Sequence, residues 1–176
     1  GWVTSALRHL ADVVAYAATR RGHAAADLAA LDHLTTSPAA LGLPSGVEVR
    51  WLGVAGFSLT HEGTTILIDP YVTRLALGDL LRRRVVQADV AAIDRFVPRA
   101  DAVLVGHTHF DHALDVPAIA RRDRCPVYGS ASARHLLGLH GLAGQAVEVE
   151  AHRTYEIGPF EVTFVPSRHA KLALGL

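Results

Sequence analysis

The sequence predicts an α/β domain, and three observations carry that expectation. Apolar residues recur at helical spacing over the first 36 positions, the period switches to two at Val47, and from Ala102 onward short apolar runs alternate with helix-like segments. Apolar residues make up 50% of the 176 positions and charged residues 19%, which excludes a disordered or fibrous chain.

The elements follow in order. Trp2, Leu7, Leu10, Val14 and Ala17 share a helical face, with Arg8, Asp12 and Arg20 on other faces. Gly22 interrupts, and Leu28, Leu31 and Leu34 continue at three-residue steps, so residues 1–36 are expected to form a helical appendage. SPAALGLPSG, residues 37–46, has the proline and glycine content of a linker, and 47–176 is expected to be the main domain. There VEVRWL and FSLTH alternate, Glu62-Gly63 turns the chain into TTILID, and Asp69-Pro70 ends a meander of three strands.

Leu75, Leu77, Leu80 and Leu81 with Arg82 to Arg84 predict one short helix, and ADVAAIDRFV another. Ala102 to Val105 is a continuous apolar run, as in a strand buried on both faces. VPAIARR then reads as helix, PVYG as strand, SASARHLLGL as a serine-capped helix and QAVEVE as strand. YEIG and FEVTFVP form a hairpin across Gly158-Pro159.

Composition narrows the function classes. The formal net charge is zero and the arginines are interleaved with aspartates, so no basic stripe is available to grip nucleic acid. A small phosphorylated molecule needs only one or two arginines. Cys125 is the sole cysteine, which rules out an internal disulfide and a cysteine-rich zinc site, and its place before Pro126 reads as buried. The apolar runs fall well short of the ~20 residues of a membrane span, and Arg8, His9 and Asp12 interrupt the N-terminal stretch. A cytoplasmic protein is the expectation, with membrane association and homo-oligomerisation left open.

The chemistry concentrates in GHTHFDHALD, residues 106–115. In an extended segment His107, His109 and Asp111 point to one side, and a helix starting near Asp111 swings His112 round beside them. Imidazole and carboxylate donors suit Zn²⁺, and also Mn²⁺ or Fe²⁺. The alternative is a histidine-rich polar turn. Closed structural zinc sites favour cysteine, so a His/Asp set points instead to a site left open for chemistry. Ser167 lacks the glycine pattern of a nucleophile elbow, which argues against serine catalysis.

HTHFDH resembles the H-x-H-x-D-H signature of the metallo-β-lactamase superfamily, whose fold is an αββα sandwich holding one or two metals. WLGVAGFSLTHEGTTILIDPY is similar to the opening meander of the branch containing ascorbate-6-phosphate lactonase and the N-acylphosphatidylethanolamine-hydrolysing phospholipase D. ADAVLVGHTHFDH is similar to its strand-plus-motif unit, and FEVTFVPSRHA to the later strand that delivers another histidine. The match runs in order from residue 47 to 170 and implies that the chain covers mainly the first αβ half of the sandwich.

Carried over by position, the resemblance assigns His107, His109 and His169 to one metal, and Asp111 and His112 to a second. Asp69 would support a metal-binding histidine through its far ring N–H, the alternative being a turn-forming Asp before Pro. The cofactor implied is one or two Zn²⁺, with Mn²⁺ or Fe²⁺ as substitutes. The implied activity is a metal-dependent hydrolase in which a metal-bound hydroxide attacks a lactone, ester, amide or phosphodiester of a small-molecule substrate. Asp111 is the candidate catalytic residue, orienting the nucleophile as well as binding metal. Arg74, Arg168 and Tyr71 are weaker candidates for holding an anionic substrate group.

The sequence also departs from the family pattern. Two-metal members use a further Asp and a final His beyond the third histidine motif, and none follows His169 before Leu176. The expectation is an N-terminal portion completed by a C-terminal half-domain, from the same protein or a second chain, with one apolar sheet face left exposed until then. The rival readings are a phospholipase or phosphodiesterase of the same fold, and a non-catalytic half-domain acting as an assembly module.

Overall fold

The alternation that begins at Val47 becomes a meander of antiparallel strands, β1 (Glu48–Gly53), β2 (Gly56–His61) and β3 (Thr64–Ile68). The computed structural model describes residues 42–75 and 85–167, together with residues 11, 14 and 15. Glu62 and Gly63 both take positive φ, +47° and +77°, as the tight turn between β2 and β3 requires. The predicted appendage over 1–36, apart from residues 11, 14 and 15, lies outside the described residues. So do residues 37–41 of the predicted linker and residues 76–84, over which the first short helix was expected.

Three short strands extend the sheet in parallel: β4 (Ala102–Leu104), β5 (Val127–Gly129) and β6 (Ala146–Glu148), giving the order β1-β2-β3-β4-β5-β6. Between them run α1 (Val90–Phe96), α2 (Phe110–Ala113), α3 (Val116–Asp123) and α4 (Ala131–Leu139). Asp89 caps α1 by accepting from the Ala92 N–H. Ser130 stands at the predicted cap of α4, but its side chain makes no capping hydrogen bond, so α4 starts on packing rather than on a serine cap.

Side chains alternate across the sheet into two cores. Leu67, Val103 and Val127 face one side and pack with Ile93, Val116, Ile119, Ala133 and Leu137 of the helices. Ile66, Ala102 and Leu104 face the other side, against a hairpin of β7 (Thr154–Ile157) and β8 (Phe160–Thr163). Ile157 is buried there, with Phe160, Val162 and Phe164 packed around it. Gly158, at φ +56°, turns the hairpin where any larger side chain would collide with Thr64.

The hairpin corrects the expectation of a fully exposed second face. It covers the parallel part of the sheet, while Trp51 and Phe57, cross-strand partners on β1 and β2, stay exposed on that side. Among the described residues no helix is long and apolar enough to cross a membrane.

Candidate metal centre

The site is built where β3 and β4 end side by side. The ladder between them runs on past the strands, with the Asp69 N–H donating to the Leu104 carbonyl at 2.9 Å. Asp69 then takes φ +44°, turning the chain out of the sheet and its carboxylate across to the neighbouring segment. One carboxylate oxygen accepts the Gly106 N–H at 2.7 Å, and the other lies 2.9 Å from His112 Nδ1. A side chain at Gly106 would press on that carboxylate, its Cβ falling 3.0 Å from Asp69 Oδ2. The motif therefore passes close to Asp69 because position 106 is glycine.

His107 and His109 follow, His109 in extended backbone, and α2 begins at once, with His109 as its N-cap and its carbonyl accepting from the His112 and Ala113 N–H groups. Asp111 consequently sits in the first turn of the helix. This corrects the extended reading that aligned it with the two histidines, since the helix starts one residue before Asp111. The same turn brings His112 back onto His107, with ring centroids 3.9 Å apart, and the His107 and His109 rings meet at 4.5 Å. His112 Nε2 faces Asp111 Oδ2 at 3.7 Å.

Three imidazoles and two carboxylates thus meet at one sheet end, of which Asp69 and His112 are mostly buried and Asp111 is about one-third exposed. By type this donor set fits Zn²⁺, Mn²⁺ or Fe²⁺. The Asp69 contact fits as well: a carboxylate accepting the Nδ1 proton keeps the Nε2 lone pair available. Among the described residues no three or more such side chains are arranged to hold an ion as they stand, the histidine rings being packed against one another. His169, expected to share a metal with His107 and His109, lies outside the described residues, as does Arg168.

Tyr71 and Arg74 are engaged within their own loop. Tyr71 is buried, its hydroxyl accepts the Leu75 N–H, and its ring meets Phe110 edge-on at 6.1 Å. The Arg74 guanidinium donates to the Tyr71 and Leu52 carbonyls and lies over the Tyr71 ring. A cavity of about 500 Å³ opens beside the motif, walled by Thr108, Phe110, Leu114, Pro117, Arg121 and Leu136.

One residue escaped the sequence reading. Asp115 precedes Val116-Pro117 and looks like an ordinary helix cap, yet it makes no side-chain capping bond and is fully buried. Its carboxylate instead accepts the Val72 and Thr73 N–H groups at 2.7 and 2.8 Å and the Thr73 hydroxyl. The only local signal was an acid set among apolar residues, in ALDVPAI.

Comparison with known proteins bears on the family. Residues 64–174 match the model of the beta-lactamase superfamily domain. A UPF0173 metal-dependent hydrolase of Polynucleobacter asymbioticus is 33% identical over 141 residues, covering 78% of this chain and 46% of that protein. One from Ruegeria is 30% identical over 126 residues, covering 70% of this chain and 49% of that protein. Among solved structures, the metallo hydrolase Igni18 of Ignicoccus hospitalis aligns over 70% of this chain and 49% of its own, at 20% identity and a TM-score of 0.49. The chain spans about half the length of the curated relatives it matches.

Proposed function

The chain belongs to the metallo-β-lactamase superfamily, and we propose that it carries the first half of a metal-dependent hydrolase centre. In this reading His107, His109, Asp111 and His112, with His169, are the residues that hold one or two Zn²⁺. The reading rests chiefly on one observation: Asp69 fixes His112 by Nδ1 and leaves its Nε2 facing Asp111, beside the His107 and His109 rings. The relatives named as metal-dependent hydrolases support the same reading.

When bound, the ion supplies an acidified water near neutral pH and a positive charge for the oxygen that gains electrons. The chain's own residues do the rest. A neutral His112 donates its Nδ1 proton to Asp69, so its orientation is set before anything binds. Asp111, partly open to solvent, accepts a hydrogen bond from an attacking water and aligns it. The cavity walled by Thr108 and Phe110 takes the organic part of a small substrate. The bond cleaved is that of a lactone, ester, amide or phosphodiester, a phosphodiester being the signature of the phospholipase-like variant. The site is proposed to be completed by a C-terminal half-domain.

The test is elemental analysis of the full chain together with a hydrolysis panel of those four substrate classes, for the native protein and His109→Ala. The expected result is at least one equivalent of tightly held transition metal, and loss of metal and of hydrolysis, about 10²-fold or more, in the variant. Unchanged metal content and turnover in His109→Ala would sink the assignment. Less than one equivalent of metal in the native assembly would favour a non-catalytic assembly module.

A further inference from the structure

We infer that Asp115 is a positioning residue for the His112 side of the metal centre, acting by fixing the register between the loop after β3 and the helix pair that follows the motif. The inference rests on the metallo-hydrolase reading and extends it to a residue with no place among the candidate ligands.

Two ties join the same two segments. Asp69 holds Gly106 and His112, and Asp115 holds Val72 and Thr73. The ties are in step, because Asp69 to Val72 and His112 to Asp115 are both three-residue intervals. The second tie is the stronger. A fully buried carboxylate takes two backbone N–H groups and a hydroxyl, each a charge-assisted bond in a low-dielectric setting. The Thr73 hydroxyl that donates to Asp115 also accepts the Asp89 N–H at 2.7 Å, which adds the start of α1 to the same knot.

Asp69 needs that support. It sits in the left-handed region, two residues before Tyr71, and must keep its carboxylate within hydrogen-bond reach of His112. If the loop shifted along α2 and α3, Asp69 would lose Nδ1 and the ring would be free to turn or change tautomer. The Asp115 carboxylate is bonded to Val72 and Thr73 rather than to a candidate ligand among the described residues, so its effect on the ligands passes through the loop. His107 and His109 lie on the β4 side of the knot and should be less affected.

The experiment uses the full chain and Co²⁺ as probe, reading stoichiometry, affinity and the visible ligand-field spectrum. In Asp115→Asn the Thr73 hydroxyl loses its acceptor and the charge is gone, while the shape is kept. The equivalent held through His112 should lose affinity by about 10-fold or more, with its spectrum altered and any equivalent held through His107 and His109 little changed. Thr73→Val, which leaves both backbone N–H bonds in place, should give a smaller loss, and Thr73→Ser should restore native binding. Should Asp115→Asn fail to fold, the Thr73 pair decides. Native Co²⁺ binding in Thr73→Val, or equal weakening of both equivalents in Asp115→Asn, overturns the positioning role. Native protein that takes up no Co²⁺ at all overturns the metal centre itself, an outcome distinct from either.

Discussion

At the scale of the residue, Asp69 combines an unfavourable backbone with a fully used side chain. A non-glycine residue in the left-handed region costs about 1–2 kcal/mol, and here φ is +44°. The carboxylate's bonds to Gly106 and His112 offset that cost and direct the imidazole. Asp69→Asn isolates the second effect, because asparagine tolerates this backbone. With its oxygen on the Gly106 N–H, its amide would point at His112 Nδ1 and favour the tautomer that carries the proton on Nε2. Zinc affinity is expected to fall about 10–100-fold with little change in melting temperature, as measured by competition with a chromophoric chelator. Native affinity would remove Asp69 from the centre. Cys125 gives a contrasting case. Burial, aided by the nearby Asp123 charge, pushes its thiol up to about 11. Almost no thiolate exists at pH 8, so iodoacetamide should alkylate it only after denaturation, and rapid labelling of the folded chain would contradict its buried placement.

At the scale of the element, α1 and α3 are joined through Arg122, which also reaches Asp94 of α1 at 3.5 Å. The Arg122 guanidinium donates to the carbonyls of Ile93, Val97 and Pro98, satisfying the open end of α1, and also binds Asp123 at 2.7 Å. Asp123, almost wholly buried, also accepts from Arg99 and from the Ala100 N–H. Burial acts to raise the Asp123 pKa, but the hydrogen bonds from Arg122 and Arg99 and the Arg122 charge outweigh it and hold the carboxyl below its ordinary 3.8. A depressed carboxyl stabilises the fold above the unfolded value and loses that contribution as pH falls below 3.8 toward the folded value. Urea midpoints should therefore drop over that acid range in the native chain and less steeply in Asp123→Asn. Asp123→Ala removes the acceptor shared by Arg122, Arg99 and the Ala100 N–H, leaving Arg122 with Asp94 and the three carbonyls, and is expected to cost about 1–3 kcal/mol at neutral pH. A loss under 1 kcal/mol would show the pair to be incidental. Elements of this kind were legible where period and turn residues agreed, as in β1 to β3 and in the helix read from VPAIARR. The start of α2 was legible to within one residue, and that residue decides whether Asp111 is extended or helical.

At the scale of the whole molecule, the α/β order was legible because each strand is apolar or alternating and each helix amphipathic. The contacts that make the site were only half legible. The spacing of His107, His109 and His112 pointed to the candidate metal centre, and Asp69 could be picked out at a strand end. Asp115 could not, since its partners Val72 and Thr73 stand more than 40 residues away and burial leaves no mark on a single acid. The hairpin's alternation, with Ile157, Phe160 and Val162 against Glu156 and Glu161, likewise names a strand pair but not the sheet face it covers. These long-range ties bear on one last expectation. If the ion is held as proposed by His107, His109, Asp111 and His112, it binds the folded chain and not the unfolded one and stabilises by linkage. At a free concentration 100 times Kd the gain is about 2.7 kcal/mol. With roughly 2–4 °C per kcal/mol for a chain of this size, saturating zinc should raise the melting temperature by about 5–10 °C over the chelator-treated protein. The rise should grow with the logarithm of zinc concentration and vanish in His109→Ala. An equal rise in that variant would mean that zinc acts elsewhere on the surface, because the ring removed is one of those the motif brings together.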